Sequence, residues 1–216
     1  MAYRAIIFDL DGTLIDQFKA IHHAFSRTIV EMGYEAPSYE QVRRAVGGAS
    51  EATMTLLIGK ERAKEAVARL RPIFEQVMLE ELIPLPFALE SLYRLTEAGL
   101  KTAVLTNKFG PHARAACDHL GFSRHLEFTL GADDTEWKKP QPELTDHALA
   151  KLGVAATEAV YIGDSPYDYK TAKNSGMDCI LVATGTHSAE ELSSLGPTVV
   201  LQDLNEVTNQ LLDTTG

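Results

Sequence analysis

A parallel α/β domain interrupted by a helical insert is the fold this sequence predicts, on three observations. The apolar run Ala5-Ile6-Ile7-Phe8 passes directly into Asp9-Leu10-Asp11-Gly12-Thr13, and acids at the carboxyl end of a buried strand stand where open parallel sheets bind ligands. From Leu85 onward strand-like and helix-like segments alternate, the pattern of a parallel α/β domain. Between about Gln17 and Ile83 the periodicity is helical, with no convincing strand. Residues 1–16 and 85–216 are therefore assigned to the α/β core and residues 17–84 to the insert.

The elements follow in order. Strand alternation carried past Phe8 puts Asp9 and Asp11 on one side with Leu10 turned away. Asp-Gly between apolar runs is also a hairpin signal. Against a hairpin, Phe18, Ile21, Phe25 and Met32 take helical spacing soon after Thr13. Further along the insert, Ala63, Ala66, Val67, Leu70, Ile73, Phe74, Val77 and Met78 mark one helix face, which Pro72 is expected to kink or divide. These apolar stripes are read as core. The chain returns through Ile83-Pro84-Leu85-Pro86, whose prolines favour an extended, semi-rigid connection. Two crossings close together would let the insert hinge over the acids.

In the second part of the core, strands are expected at Thr102 to Thr106, Phe128 to Gly131, Ala159 to Gly163, Asp178 to Ala183 and Thr198 to Leu201. Helices are expected at Phe87 to Ala98, Pro111 to Leu120, Glu143 to Leu152 and Tyr167 to Ser175, with Gly99, Gly121, Gly153 and Gly176 just past their ends as C-caps. Crossovers between the strands should be right-handed.

Composition restricts the partners. The 216 residues, 45% of them hydrophobic, suffice for a sizeable core. A net charge of −10 with no basic run disfavours nucleic acid or an anionic membrane as partner. An anionic substrate then needs a local cation. Cys117 and Cys179 lack metal-ligand spacing and are read as small buried side chains. The first strand begins close to the start of the chain, leaving no room for a signal peptide, and no apolar run approaches a membrane span, so a cytoplasmic protein is expected.

Three further segments fall at strand ends or helix starts. Thr106-Asn107 follows Ala103-Val104-Leu105, Lys139-Pro140 precedes a helix, and Gly163-Asp164-Ser165-Pro166-Tyr167-Asp168 closes the strand Val160-Tyr161-Ile162. Singly, each has an ordinary account as a turn, a solvated charge or a helix N-cap. Their joint order with Asp9 to Thr13 is far harder to obtain by chance.

With all four motifs in this order, the chain resembles the haloacid dehalogenase superfamily over its whole length, the insert standing where that family has an α-helical cap. The resemblance implies a Rossmann-like parallel sheet and a magnesium cofactor. It makes Asp9 the nucleophile, Asp11 the general acid/base, Thr106 and Lys139 phosphate holders, and Asp9, Asp164 and the main-chain carbonyl of Asp11 the metal ligands. Substrate contacts are expected from Leu10, Asp11, Thr106, Asn107 and Lys139. Ser165 and Asp168 would support the site from behind, Asp168 by fixing Lys139 or a metal-bound water.

The chemistry accounts for these residue types. A phosphate monoester attacked by a carboxylate is an anion meeting an anion, so a hard divalent cation and Lys139 must balance charge before Asp9 can approach phosphorus. Attack leaves an aspartyl-phosphate for water to cleave. To donate a proton near neutral pH, Asp11 needs a pKa raised by roughly three units, which desolvation on closure of the insert would supply.

The second acid separates branches, since haloacid dehalogenases do not need Asp11. Sugar-phosphate mutases tend to carry a His where this chain has Ile21, with His22 one place off. Phosphonate hydrolysis uses an insert lysine, for which Lys19 is the nearest match. Thr13, Thr106-Asn107-Lys108 and Val46-Gly47-Gly48-Ala49-Ser50 look most like phosphoglycolate-phosphatase-type members. Gly47 and Gly48 would let backbone approach the substrate, and Arg43 or Arg44 would meet a second anionic group. The expected partner is a small phosphorylated metabolite. Phosphoglycolate, pyrophosphate, nucleoside monophosphates and sugar phosphates all remain open, as does oligomeric state. A receiver-type phospho-acceptor would instead use Asp133 or Asp134 after the Phe128 strand.

Overall fold

The computed structural model describes residues 3–213. In chain order the core opens with β1 (Ala5–Phe8) and a two-residue strand, β2 (Ile15–Asp16). The insert follows as α1 (Phe18–Glu31), α2 (Tyr39–Ala45), α3 (Ser50–Ile58) and α4 (Lys60–Val77). The insert closes with β3 (Ile83–Pro84), and the core resumes with α5 (Ala88–Glu97), β4 (Lys101–Leu105), α6 (Gly110–His119), β5 (Thr129–Leu130) and α7 (Pro142–Leu152). It ends with β6 (Ala159–Gly163), α8 (Pro166–Asn174), β7 (Asp178–Val182), α9 (Ala189–Ser193), β8 (Val199–Leu201) and α10 (Leu204–Asp213).

Six strands form one parallel sheet in the order β5-β4-β1-β6-β7-β8. Strand alternation explains how helices cover both faces. Ile6, Phe8, Val104, Val160 and Ile162 project into one apolar cluster with Leu92 and Leu95 of α5, Ala113 and Cys117 of α6, and Val207 of α10. Ala5, Ile7, Ala103, Leu105 and Tyr161 project into another with Leu144 and Leu152 of α7, Ala172 of α8 and Leu192 of α9. Strands buried on both faces cannot alternate polar with apolar, and these do not. Because all six strands run the same way, their carboxyl ends share one edge. The chain leaves β4 outward to β5 and β6 outward to β7 and β8, so β1 sits at the topological switch point, where such sheets bind ligands.

The insert has an apolar cluster of its own, built from Phe18, Phe25, Ile29, Met54, Leu70 and Phe74 among others. Its connections differ from expectation in one respect: Ile15 and Asp16 pair antiparallel with Pro84 and Ile83, so exit and return form a short ribbon. Pro72 does not divide α4, which runs from Lys60 to Val77 as one helix. Proline costs a helix about 3 kcal/mol where it strips a buried carbonyl of its donor. Ala68 and Pro72 both face solvent, so water can serve the Ala68 carbonyl while Leu70, Ile73 and Phe74 bury the opposite face. Cys117 and Cys179 are free and buried, as read from the sequence. Among the described residues, no helix is long and apolar enough to cross a membrane.

Candidate active site

The carboxyl edge of the sheet assembles the motifs. Asp9 follows β1, its N–H donating to the Ile162 carbonyl at 2.8 Å. Lys139, from the loop after β5, places its Nζ 2.7 Å from Asp9 Oδ1 and 2.8 Å from Asp168 Oδ1. The ammonium is essentially buried, as are both acids. Burial alone would lower the Lys139 pKa, but Asp168 and Asp9 hold it well above the usual lysine range, so the ammonium stays charged.

Asp168 sits in the first turn of α8 and spends both oxygens. Oδ1 accepts from Lys139, while Oδ2 accepts from Ser165 Oγ at 2.6 Å and from the N–H groups of Ser165 and Asp164 at 3.1 and 3.2 Å. Gly163 is required there, because a Cβ would fall 2.3 Å from Asp168 Cβ. Asp164 accepts at Oδ2 from Thr186 N and Oγ1, at 2.9 and 3.2 Å, and at Oδ1 is met by the Thr13 hydroxyl at 3.5 Å.

Asp11 takes another partner. Its carboxylate oxygens lie 3.0 and 3.1 Å from Lys108 Nζ, which also stands 4.9 Å from the Phe74 ring of α4. Asp9, Asp11, Thr106, Lys108, Gly47 and Gly48 line a cavity of about 900 Å³ between insert and sheet edge. Lys139 and Asp164 are not part of this lining and reach it through their neighbour Asp9.

Comparison with known proteins fits this geometry. Residues 6–182 match the haloacid dehalogenase-like hydrolase family, a stretch that spans β1 to β7.

The chain belongs to the haloacid dehalogenase-like hydrolase family.

Among relatives, a phosphoglycolate phosphatase of Rhodobacter capsulatus is 33% identical over 84% of this chain and 84% of its own. One of Rhodospirillum rubrum is 32% identical over 93% of this chain and 87% of its own. A haloacid dehalogenase-like hydrolase of Streptococcus pneumoniae has the same fold, with a TM-score of 0.87 at 24% identity over 96% of this chain and 98% of its own.

The expected residues divide into those gathered at the cavity and those placed elsewhere. Asp9, Asp11, Thr106, Lys139, Asp164, Ser165 and Asp168 come together in the hydrolase as described. The Leu10 side chain does not line the cavity; it is fully buried in the apolar cluster beneath β1, as alternation requires. Asn107 lines the cavity but its amide is engaged with backbone. Nδ2 donates to the carbonyls of Gly47 and Lys139, at 3.0 and 3.2 Å, and Oδ1 accepts from Lys139 N at 3.0 Å. Gly47 and Gly48 approach Tyr167 of α8, where a Cβ would meet the ring at 3.0 Å and its hydroxyl at 3.1 Å.

Arg43 and Arg44 lie outside the cavity lining. Arg43 donates to the Gly185 carbonyl, and Arg44 pairs with Glu191 at 3.0 Å. Both reach across to the core and not into the cavity. His22 turns to the Pro37 carbonyl at 3.1 Å and, with Lys19, faces a separate surface cleft, outside the lining of the cavity that holds Asp9 and Asp11. Asp133 Oδ1 accepts from Gly110 N at 2.6 Å, closing the amino end of α6. Sequence reasoning assigned no role to Lys108, Tyr167 or Thr184-Gly185-Thr186. The last follows β7, so the strand-end rule that found Asp9 and Asp164 applied to it equally.

The donor set suits a hard cation. Asp9, Asp164 and Asp168 bring carboxylate oxygens within 4.8 Å of one another, all buried, against one ammonium. Burial raises Asp9 to about 6, with Lys139 opposing and Asp168 reinforcing the rise. Burial and the charges of Asp168 and Asp9 push Asp164 well above the usual carboxylate range. Oxygen ligands short of positive charge are what a divalent ion completes. Since Asp168 is fully engaged, Asp9 and Asp164 are the side chains that would hold it.

Proposed function

We propose that this hydrolase is a magnesium-dependent phosphatase acting on a small, phosphoglycolate-like phosphate monoester, with Asp9 as nucleophile and Asp11 as general acid/base. The observation that carries the reading is Asp9 at the end of β1, held 2.7 Å from the Lys139 ammonium and grouped with the buried carboxylate of Asp164. The names of the two bacterial relatives support the substrate class.

In this reading, Thr106 and Lys139 hold the transferring oxygens while an Asp9 oxygen attacks phosphorus. The bond from phosphorus to the leaving oxygen breaks as Asp11 gives that oxygen its proton. Water then attacks the aspartyl-phosphate, Asp11 takes the water's proton, and Asp9 is restored with release of inorganic phosphate. Magnesium, held by Asp9, Asp164 and the Asp11 carbonyl, would supply positive charge to the phosphate oxygens. Closure of the insert would exclude bulk water from this exchange.

The test is phosphate release with and without magnesium from phosphoglycolate, pyrophosphate, nucleotides, sugar phosphates and an aryl phosphate, with Asp9→Asn beside the wild type. Magnesium-dependent release that falls to background in Asp9→Asn is expected. Turnover that survives the substitution would overturn the reading.

A further inference from the structure

We infer that Arg43 is a positioning residue that ties the insert to Asp164, so that closure of the insert and cation binding at the acidic cluster favour each other. The tie runs through the loop after β7. Within three residues that loop makes three hydrogen bonds to the site. Thr184 Oγ1 donates to the Gly12 carbonyl at 2.7 Å, and Thr186 donates twice to Asp164 Oδ2.

Gly185, between them, is pressed against the same carboxylate. A Cβ at Gly185 would lie 1.8 Å from Asp164 Oδ2, and one at Gly12 would lie 2.6 Å from the same atom and 3.0 Å from Gly185 Cα. The loop therefore has no room to move toward Asp164, and moving away would break the Thr186 hydrogen bonds that hold the carboxylate. It is held from the insert, where the Arg43 guanidinium donates to the Gly185 carbonyl. Arg43 is itself steadied 5.9 Å over the Phe18 ring of α1 and 3.6 Å from Glu40.

The neighbouring contact is a natural control. Arg44 and Glu191 also join insert to core, but both are largely exposed, and surface pairs of this kind contribute little. Among the described residues the side chain of Asp164 is hydrogen-bonded by Thr13 and Thr186 and not by α9, the helix that carries Glu191. If the insert swings away, Arg43 leaves Gly185 and the backing of Asp164 loosens. By linkage, a cation that fixes Asp164 must in turn favour the closed insert by the same factor. This inference rests on the functional reading only for the identity of the cation.

The test uses the full chain and needs no turnover. Magnesium is titrated against thermal unfolding to obtain an apparent affinity, and amide exchange is followed in residues 183–188, for Arg43→Ala, Arg43→Lys and Arg44→Ala. Arg43→Ala is expected to weaken magnesium binding at least about 5-fold and to speed exchange in the loop, with Arg43→Lys recovering part of both and Arg44→Ala near wild type. Unchanged magnesium affinity in Arg43→Ala, or equal losses in Arg43→Ala and Arg44→Ala, would overturn the tie. Wild-type protein that binds magnesium but releases no phosphate from any ester would sink the phosphatase reading and leave the tie standing.

Discussion

Asp168 shows how much a single buried acid can hold. Its carboxylate accepts from Lys139, Ser165 Oγ and two backbone N–H groups, with no exposure of its own. A buried charge is costly unless every lone pair is used, and here each oxygen has a charged or oriented donor. Asp168→Asn keeps the shape but replaces one acceptor oxygen with an NH₂ group. That group must face either the Lys139 ammonium or the three donors at the start of α8. The substitution is expected to cost about 3–5 kcal/mol, read from the urea midpoint, and to lower phosphate release because Lys139 loses its second anchor. A change under about 1 kcal/mol would mean that water replaces the lost contacts, against the burial seen here. The sequence placed Asp168 behind Lys139 through its motif. It could not show that both oxygens are occupied, because Lys139 reaches it from another part of the chain.

At the scale of elements, insert and core meet along a seam between α4 and the start of α6. His112 Nε2 lies 3.1 Å from Glu75, its ring is 5.2 Å from Phe74 and 4.9 Å from Phe109, and Arg71 stacks 4.2 Å over Phe109. Burial lowers the His112 pKa below its ordinary 6.5, Glu75 opposes the shift, and Lys108 and Arg71 add to it. Folded His112 is therefore harder to protonate than His112 in the unfolded chain. As pH falls through 6.5 the unfolded state binds the proton first, so stability drops, and the loss is complete below the folded pKa. His112→Asn should flatten this part of the pH profile in chemical denaturation; an unaltered acid limb would assign it to other groups. The seam also marks where sequence reading ends. Helical periodicity located α1 and α4, strand runs and glycine C-caps located most of the core, and local spacing needed nothing more. The ribbon of β2 with β3, the division of α2 from α3, and the choice of Gly185 as the partner of Arg43 depend on contacts between distant segments. A helix-face pattern tells which side is apolar, but not which polar residue crosses to another body.

For the molecule as a whole, the division of apolar side chains decides how it opens. The two clusters on the sheet faces share β1, β4, β6 and β7, so neither can come apart without the other. The insert's cluster is separate and is joined to the core by the ribbon at Ile15 and Pro84, by polar contacts such as Asn107 to Gly47, and by the packing of α4 on α6 at Phe74, His112 and Ala115. Free energies of opening within one protein range from near zero up to the global value, and units with their own core open as units. Met54, fully buried within the insert, separates the two cases. Met54→Ala removes most of a core side chain and is expected to cost about 2–5 kcal/mol. If the insert opens by itself, amide exchange should rise throughout α1 to α4 while β1, β4 and β6 keep their protection. An equal loss in both bodies would make the protein one cooperative unit, and the insert could not then move over the acids without unfolding the sheet that carries them. Selective loss is the outcome that a hinged lid requires, because only a body that is stable apart from the sheet can leave Asp9 and Asp11 open to a substrate and return intact.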